Sequence, residues 1–119
     1  MEHKIKSIRP FIGARDYELS RQFYKDLGFE EVVIPSNMSY FKSGDFGFYL
    51  QDAYVKDWVD NTMLFMEVED LDAQFEKIKA LSQKYKGVRL SGIVYNDWGN
   101  EFFLHDPSGI LWHIGVFLG

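Results

Sequence analysis

Hydrophobic and polar positions alternate along most of this chain, and where alternation stops they recur at helical spacing. Between Ser7 and Ala14, Ile8, Pro10 and Ile12 alternate with Arg9, Phe11 and Gly13, which predicts a strand. Its proline has no N–H for a ladder, so an edge or exchanged strand is expected. Asp16 is placed to cap a helix in which Leu19, Phe23 and Leu27 share one face, and Gly28 to end it. Phe29 to Ile34, Met38 to Lys42 and Phe46 to Gln51 follow as short strands. The turns between them fall at Pro35-Ser36-Asn37 and Ser43-Gly44-Asp45.

The second half repeats this plan. Leu64, Met66 and Val68 alternate toward Glu69-Asp70 as Pro10, Ile12 and Ala14 lead to Arg15-Asp16, and Asp70 follows Asp16 by 54 residues. From Asp70 a helix carries Leu71, Phe75, Ile78 and Leu81 on one stripe and is expected to run to Lys86-Gly87, where lysines suit a helix C-terminus. Val88 to Tyr95, Glu101 to His105 and Ile110 to Phe117 read as strands, the last two joined by the turn Asp106-Pro107-Ser108-Gly109. The chain thus reads β-α-β-β-β twice, with one module over about 4–52, a linker from Asp52 to Asn61, and a second module over about 62–118. Neither module hides its sheet alone, so the expected fold is α+β: two βαβββ modules forming a curled mixed sheet around a cavity, with helices on the outer face.

Length and charge narrow the function. A chain of 119 residues suits one domain with one core. It has no cysteine, hence no disulfide or thiolate site, and its opening residues Met1 to Lys6 lack the apolar stretch of a signal peptide, so a cytoplasmic location is expected. No apolar run is long enough for a membrane helix. The net charge of −5 repels phosphate backbones, which argues against nucleic acid and favours cationic small molecules.

The double module, with its Arg15-Asp16 and Gln22-Phe23-Tyr24-Lys25-Asp26-Leu27-Gly28-Phe29 segments, resembles the vicinal-oxygen-chelate superfamily of glyoxalases, extradiol dioxygenases and antibiotic-resistance proteins. Within it, Ala14-Arg15-Asp16, Asp60-Asn61-Thr62 and Trp98-Gly99-Asn100-Glu101-Phe102 with Asp106-Pro107-Ser108-Gly109 and Trp112-His113-Ile114 are similar to the bleomycin-resistance branch. That resemblance implies a homodimer that exchanges an N-terminal strand and sequesters a bulky cationic drug in aromatic-lined grooves at the interface, without transforming it.

Metal-dependent members of the superfamily place ligands on the first, fourth, fifth and eighth strands. Carried onto this chain, those positions fall on Arg9, Met63 and His113, with Tyr49 or Gln51 on the fourth strand. Arg9 is permanently cationic and Met63 is a soft, weak donor, so only His113 has ligand chemistry. No metal and no cofactor are therefore expected; His105, His113 and Glu101 form a weaker alternative set, and His3 lies at the terminus.

Strand side chains alternate between faces, so the apolar phase should meet the helices and the mixed phase the cavity. Ile110, Trp112, Ile114 and Val116 take the helix side of the last strand, leaving Leu111, His113 and Gly115 inward. The same phase puts Arg9, Phe11, Tyr49, Gln51, Met63, Phe65, Glu67, Glu101, Phe103 and His105 on the inner surface. Arg9, Glu67, Glu101 and His113 among aromatic walls suit either a pocket that orients a small molecule or an internal ion-pair network. Trp98, ahead of Gly99, suits either a ring that stacks on ligand or a lid on the core. Tyr54, Val55 and Trp58 in the linker, like Phe117-Leu118, suit packing on a dimer partner or on the chain's own sheet.

Three functions compete: a metal-free binding protein that sequesters a planar or cationic ligand, a glyoxalase-like or dioxygenase-like metal-dependent enzyme, and a protein whose cavity is filled by its own side chains. A metal-free enzyme with Glu67 or Glu101 as general base is a further alternative. The ligand-binding candidates are Trp98, Arg9, Tyr49, Phe65, Glu67, Glu101, Phe103 and His113.

Overall fold

The computed structural model describes residues 4–35 and 37–118, so Ser36 of the first turn and the terminal His3 lie outside the described residues. In the first module, β1 (Phe11–Gly13) leads to α1 (Tyr17–Leu27), β2 (Glu30–Ile34), β3 (Met38–Ser43) and β4 (Phe46–Gln51). A short helix, α2 (Lys56–Asp60), follows. The second module runs β5 (Met63–Glu67), α3 (Leu71–Ser82), β6 (Arg89–Leu90), β7 (Val94–Tyr95), β8 (Gly99–His105) and β9 (Leu111–Phe117).

The helix signals act locally as chemistry demands. Asp16 is extended and accepts the backbone N–H of Leu19 at 3.1 Å, which starts α1. Gly28 ends it at φ 116°, a left-handed conformation costly for any residue with a Cβ, and the N–H groups of Gly28 and Phe29 return to the carbonyls of Lys25 and Tyr24. Asp70 repeats the device, accepting the N–H of Ala73 at 3.0 Å to start α3.

The strands form two sheets. The first has order β1-β4-β3-β2 and the second β5-β9-β8-β6, with β7 also paired to β8. β1 lies parallel to β4 and β5 parallel to β9; the remaining pairs are antiparallel. The α+β class and its two modules follow the sequence reading, and the curled sheet is divided into two, each with its own mixed face.

Several boundaries differ from the sequence reading, each for a local reason. The first strand is shorter than Ser7–Ala14: Pro10 gives its carbonyl to Tyr49 N–H at 2.9 Å but has no N–H to return, and the exposed residues 4–10 leave the sheet. The second helix ends at Ser82, because Lys84 and Tyr85 turn back onto the carbonyls of Leu81 and Ser82. This swings the Tyr85 ring edge-on to Phe23, and its hydroxyl donates to the Asp26 carboxylate. The strand read over Val88–Tyr95 is interrupted at Ser91, whose Oγ accepts the Phe103 N–H at 2.8 Å where β6 gives way to β7. The buried face of α1 is Ser20, Phe23, Tyr24 and Leu27, so Tyr24 displaces Leu19 from the expected stripe. Within the linker, α2 buries Val59 and leaves Trp58 exposed.

The helix-side faces of both sheets share one core. Ile12, Phe41, Phe48 and Leu50 of the first meet Phe102, Leu104, Trp112 and Ile114 of the second around α1 and α3. The Phe48 and Trp112 rings are 5.4 Å apart across that junction. Polar groups inside are paired. Asp106 Oδ1 accepts the N–H groups of Ser108, Gly109 and Ile110 at 2.9 Å each, and Oδ2 accepts the Tyr24 hydroxyl at 2.6 Å. Trp112 Nε1 donates to the same hydroxyl at 2.9 Å. Burial pushes both the Asp106 carboxyl and the Tyr24 phenol up from their ordinary values. The turn that reads as Asp106-Pro107-Ser108-Gly109 is thus also the clasp between α1 and the second sheet.

Candidate functional site

With the apolar phase spent on the core, each sheet turns its mixed phase away from it, and the two mixed faces differ in charge. On the first sheet, Phe11, Tyr49 and Tyr40 lie side by side on three neighbouring strands by register. The Phe11 and Tyr49 rings stack at 4.7 Å. Arg9, just before the strand, lays its guanidinium 4.0 Å from the Tyr40 ring centroid and donates from Nη1 to the Tyr49 hydroxyl at 3.0 Å. That hydrogen bond holds the guanidinium pKa above its ordinary value.

On the second sheet, Phe65 of β5, His113 of β9 and Phe103 of β8 share a row, and Glu101 sits one step along β8. His113 Nδ1 is 2.9 Å from Glu101 Oε1, and Asn96 Nδ2 donates to Glu101 Oε2 at 3.2 Å. Glu101 is only 8% exposed, so its carboxylate is held by these two partners rather than by water. The imidazole lies nearly parallel to Phe65, centroids 6.3 Å apart, and edge-on to Phe103 at 5.0 Å. Phe65, Trp98 and Phe117 then form an open triangle with centroids 5.4 to 6.1 Å apart. All three rings are about half-exposed.

The position of Trp98 has a backbone cause. A Cβ on Gly99 would lie 2.1 Å from the Val116 carbonyl oxygen, so only glycine lets β8 begin this close to β9. The Trp98 carbonyl accepts the Leu118 N–H at 2.9 Å, fixing the chain at the rim of the sheet with the indole outward.

Of the residues singled out in the sequence, Phe65, Trp98, Glu101, Phe103 and His113 come together on the second sheet, and Arg9 and Tyr49 on the first. Neither the expected polar cluster of Arg9, Glu67, Glu101 and His113 nor the alternative ion-pair network of Arg9 with the glutamates assembles among the described residues. Arg9 is engaged by tyrosines, Glu101 pairs with His113, and Glu67 stands exposed at the end of β5. The cause is topological: the two mixed faces belong to different sheets, and it is the helix-side faces of those sheets that meet in the shared core. Tyr40, Asn96 and Phe117 join these clusters without having been placed there by the sequence reading; Tyr40 was findable, since it faces Tyr49 once the β3–β4 hairpin register is drawn.

The alternative metal set of His105, His113 and Glu101 does not close either. Among the described residues no group of three or more His, Asp and Glu is placed to hold a metal ion. His105 sits at the far end of β8 beside Arg89, and burial, together with that charge, keeps its imidazole below its ordinary pKa. At Arg9, Met63 and His113, the positions that the sequence resemblance points to, the chain offers a cation already stacked on Tyr40, an exposed thioether and one imidazole, a donor set that does not suit a divalent metal.

A cleft of about 920 Å³ opens elsewhere, along the backbone of β5 from Met63 to Glu69, and is walled by Pro10, Phe29, Phe46, Phe48 and Trp112. β5 is an edge strand, so among the described residues that side of its ladder has no strand partner. A smaller hollow of about 200 Å³ lies between Phe11, Val55 and Trp58. No helix among the described residues is long and apolar enough to cross a membrane.

No protein-family model matches the chain, and no curated protein sequence does. Its fold does match solved structures. A bleomycin-binding protein from Streptomyces verticillus, complexed with copper(II)-bleomycin, superposes with a TM-score of 0.79 at 22% identity, over 98% of this chain and all of that one. A lactoylglutathione lyase from Agrobacterium tumefaciens gives 0.73 at 19% identity over 96% of both chains. The fosfomycin resistance protein FosX from Mesorhizobium loti gives 0.74 at 14% identity, over 96% of this chain and 94% of that one. The chain thus shares its fold with bleomycin-binding proteins, a lactoylglutathione lyase and a fosfomycin resistance protein.

Proposed function

We propose that the chain is a metal-free small-molecule-binding protein, one domain over its length, that sequesters a planar or cationic ligand on the mixed face of its second sheet. The observation that carries this reading is the half-exposed triangle of Phe65, Trp98 and Phe117 beside the sheltered Glu101 carboxylate. Rings fixed by the backbone bind flat ligands at low entropic cost, and a carboxylate behind them favours a cation. Bleomycin-binding proteins of the same fold are complexed with bleomycin, which supports a ligand-binding role for this chain. The lyase and FosX matches support an enzyme equally at the level of fold, but the donors at Arg9 and Met63 weigh against metal-dependent chemistry of that kind.

The working unit in this proposal is a homodimer that exchanges its N-terminal strand. Residues 4–10 are exposed and lie outside the strands, Ile8 is 88% exposed, and the cleft along the edge of β5 offers a ladder for a strand from a second copy. The cationic face around Arg9 and the acidic face around Glu101 and Glu67 are complementary, so a groove walled by one from each protomer would be both aromatic and charge-matched.

The reading is tested by titrating the protein with bleomycin-type glycopeptides and flat aromatic cations while following tryptophan fluorescence, and by sedimentation over a range of protein concentrations. Saturable quenching and a dimer mass support it. A monomer at every concentration removes the shared groove, and no quenching by any of these compounds removes the binding function.

A further inference from the structure

We infer that the second sheet's face reads a hydrogen-bond donor on its ligand through Nε2 of His113, and so selects planar aromatic cations that carry an N–H at the ring edge; this rests on the binding reading above. His113 Nδ1 faces Glu101 Oε1 at 2.9 Å. A carboxylate only accepts, so the Nδ1–H donates to it, and in the neutral form of the ring Nε2 then keeps a bare lone pair. The second Glu101 oxygen is taken by Asn96, so the dyad is locked from behind and the ring has no second orientation with the same pairing.

Nε2 itself is buried and has no hydrogen-bond partner, the one such side-chain atom among the described residues. The fold does not leave polar atoms idle elsewhere: buried Ser20, Ser39, Asp106 and Ser108 all have partners. An acceptor without a donor is a cost that a ligand can remove. Among the described residues no donor is paired with it. The charged groups on this face are Glu67 on β5 and Glu101 on β8, both acceptors, and Arg89 lies beside His105 at the other end of β8. The aromatic neighbours of the ring are Phe65 and Phe103, with Trp98 and Phe117 beyond Phe65. A flat cation that stacks on these rings and shifts the side chains covering Nε2, with an N–H directed at it, would pair the orphaned nitrogen and place its charge next to Glu101.

Two acridines of equal charge and similar shape separate this from stacking alone. 9-Aminoacridine carries N–H donors, whereas 10-methylacridinium is a flat cation with none. The wild-type protein should bind 9-aminoacridine about tenfold more tightly, the worth of one hydrogen bond to a sheltered acceptor. His113→Phe, which keeps a ring and removes the lone pair, should abolish that preference. A measurement on the unaltered protein stands beside the variant: in ¹⁵N long-range correlation spectra at neutral pH, His113 should show protonated Nδ1 and bare Nε2, and Nε2 should move upfield with 9-aminoacridine only. Equal binding of the two acridines by the wild type, or an Nε2–H tautomer in the free protein, overturns this inference and leaves the binding reading intact. If neither acridine binds, the reading of the face as a site for flat cations falls, and this inference with it.

Discussion

The two sheets are made by the same run of elements from the same cap signals, yet their mixed faces are near opposites. The first is cationic and self-satisfied: Arg9 spends its charge on Tyr40 and its donor on Tyr49, and Phe11 closes the stack. The second is acidic and incomplete, with a sheltered carboxylate, an unpaired imidazole nitrogen and three rings half open to solvent. Repetition of the module therefore sets where a site can sit, and the identities at a few alternate strand positions set what it does there. The difference points to the second face as the binding surface and to the first as its wall or counter-charge.

The strongest challenge to treating the faces separately is the core they share. Trp112 packs on Phe48 of the first module and hydrogen-bonds Tyr24, so Trp112→Ala should cost about 3–5 kcal/mol and loosen both modules in one transition. Urea unfolding followed by circular dichroism measures this; two separate transitions would show that the modules stand alone. Trp98→Ala should do the reverse. It should leave the urea midpoint within about 0.5 kcal/mol, as for an exposed site. Affinity for 9-aminoacridine should fall by about 2 kcal/mol, roughly thirtyfold. A variant that binds as tightly as the parent would move the site off this rim.

A third effect distinguishes the sheets in acid. Glu31 of β2 is tied to α1 by Arg21, at 2.6 and 3.1 Å, and accepts from Ser39 at 2.7 Å. Burial pushes its carboxyl up, but these bonds outweigh burial and leave it below the ordinary carboxylate value. A lowered folded-state pKa contributes stability that is present above the unfolded value, about 4.3, and is lost as pH falls through the folded one. Glu31→Gln should thus narrow its stability gap to wild type as pH drops through that window; a gap constant from pH 7 to 3 would contradict the pairing. The smallest effect on unfolding is expected from Arg9→Ala, because its contacts with Tyr40 and Tyr49 lie on the exposed surface. If the first face is the counter-charge of a partner's second face, the same variant should still weaken the dimer in sedimentation, most clearly at low salt.

Local signals in the sequence determined the scaffold: the two Asp caps, Gly28, the alternation of β5 and β9, and the Asp106–Gly109 turn all act over a few residues, where steric and hydrogen-bonding rules are nearly context-free. Alternation also sorted Phe65, Glu101, Phe103 and His113 onto one face before any coordinates. Tertiary structure alone decided what touches what. That Arg9 meets Tyr40 rather than Glu101 depends on which face each sheet turns to the shared core. That Tyr24 enters the core, that α3 stops at Ser82 so Tyr85 can reach Asp26, and that β6 and β7 part at Ser91 depend on partners tens of residues away. The orphaned nitrogen of His113 belongs to the same class. A sequence shows that a histidine is present, but which of its nitrogens is covered and which is paired is fixed by packing.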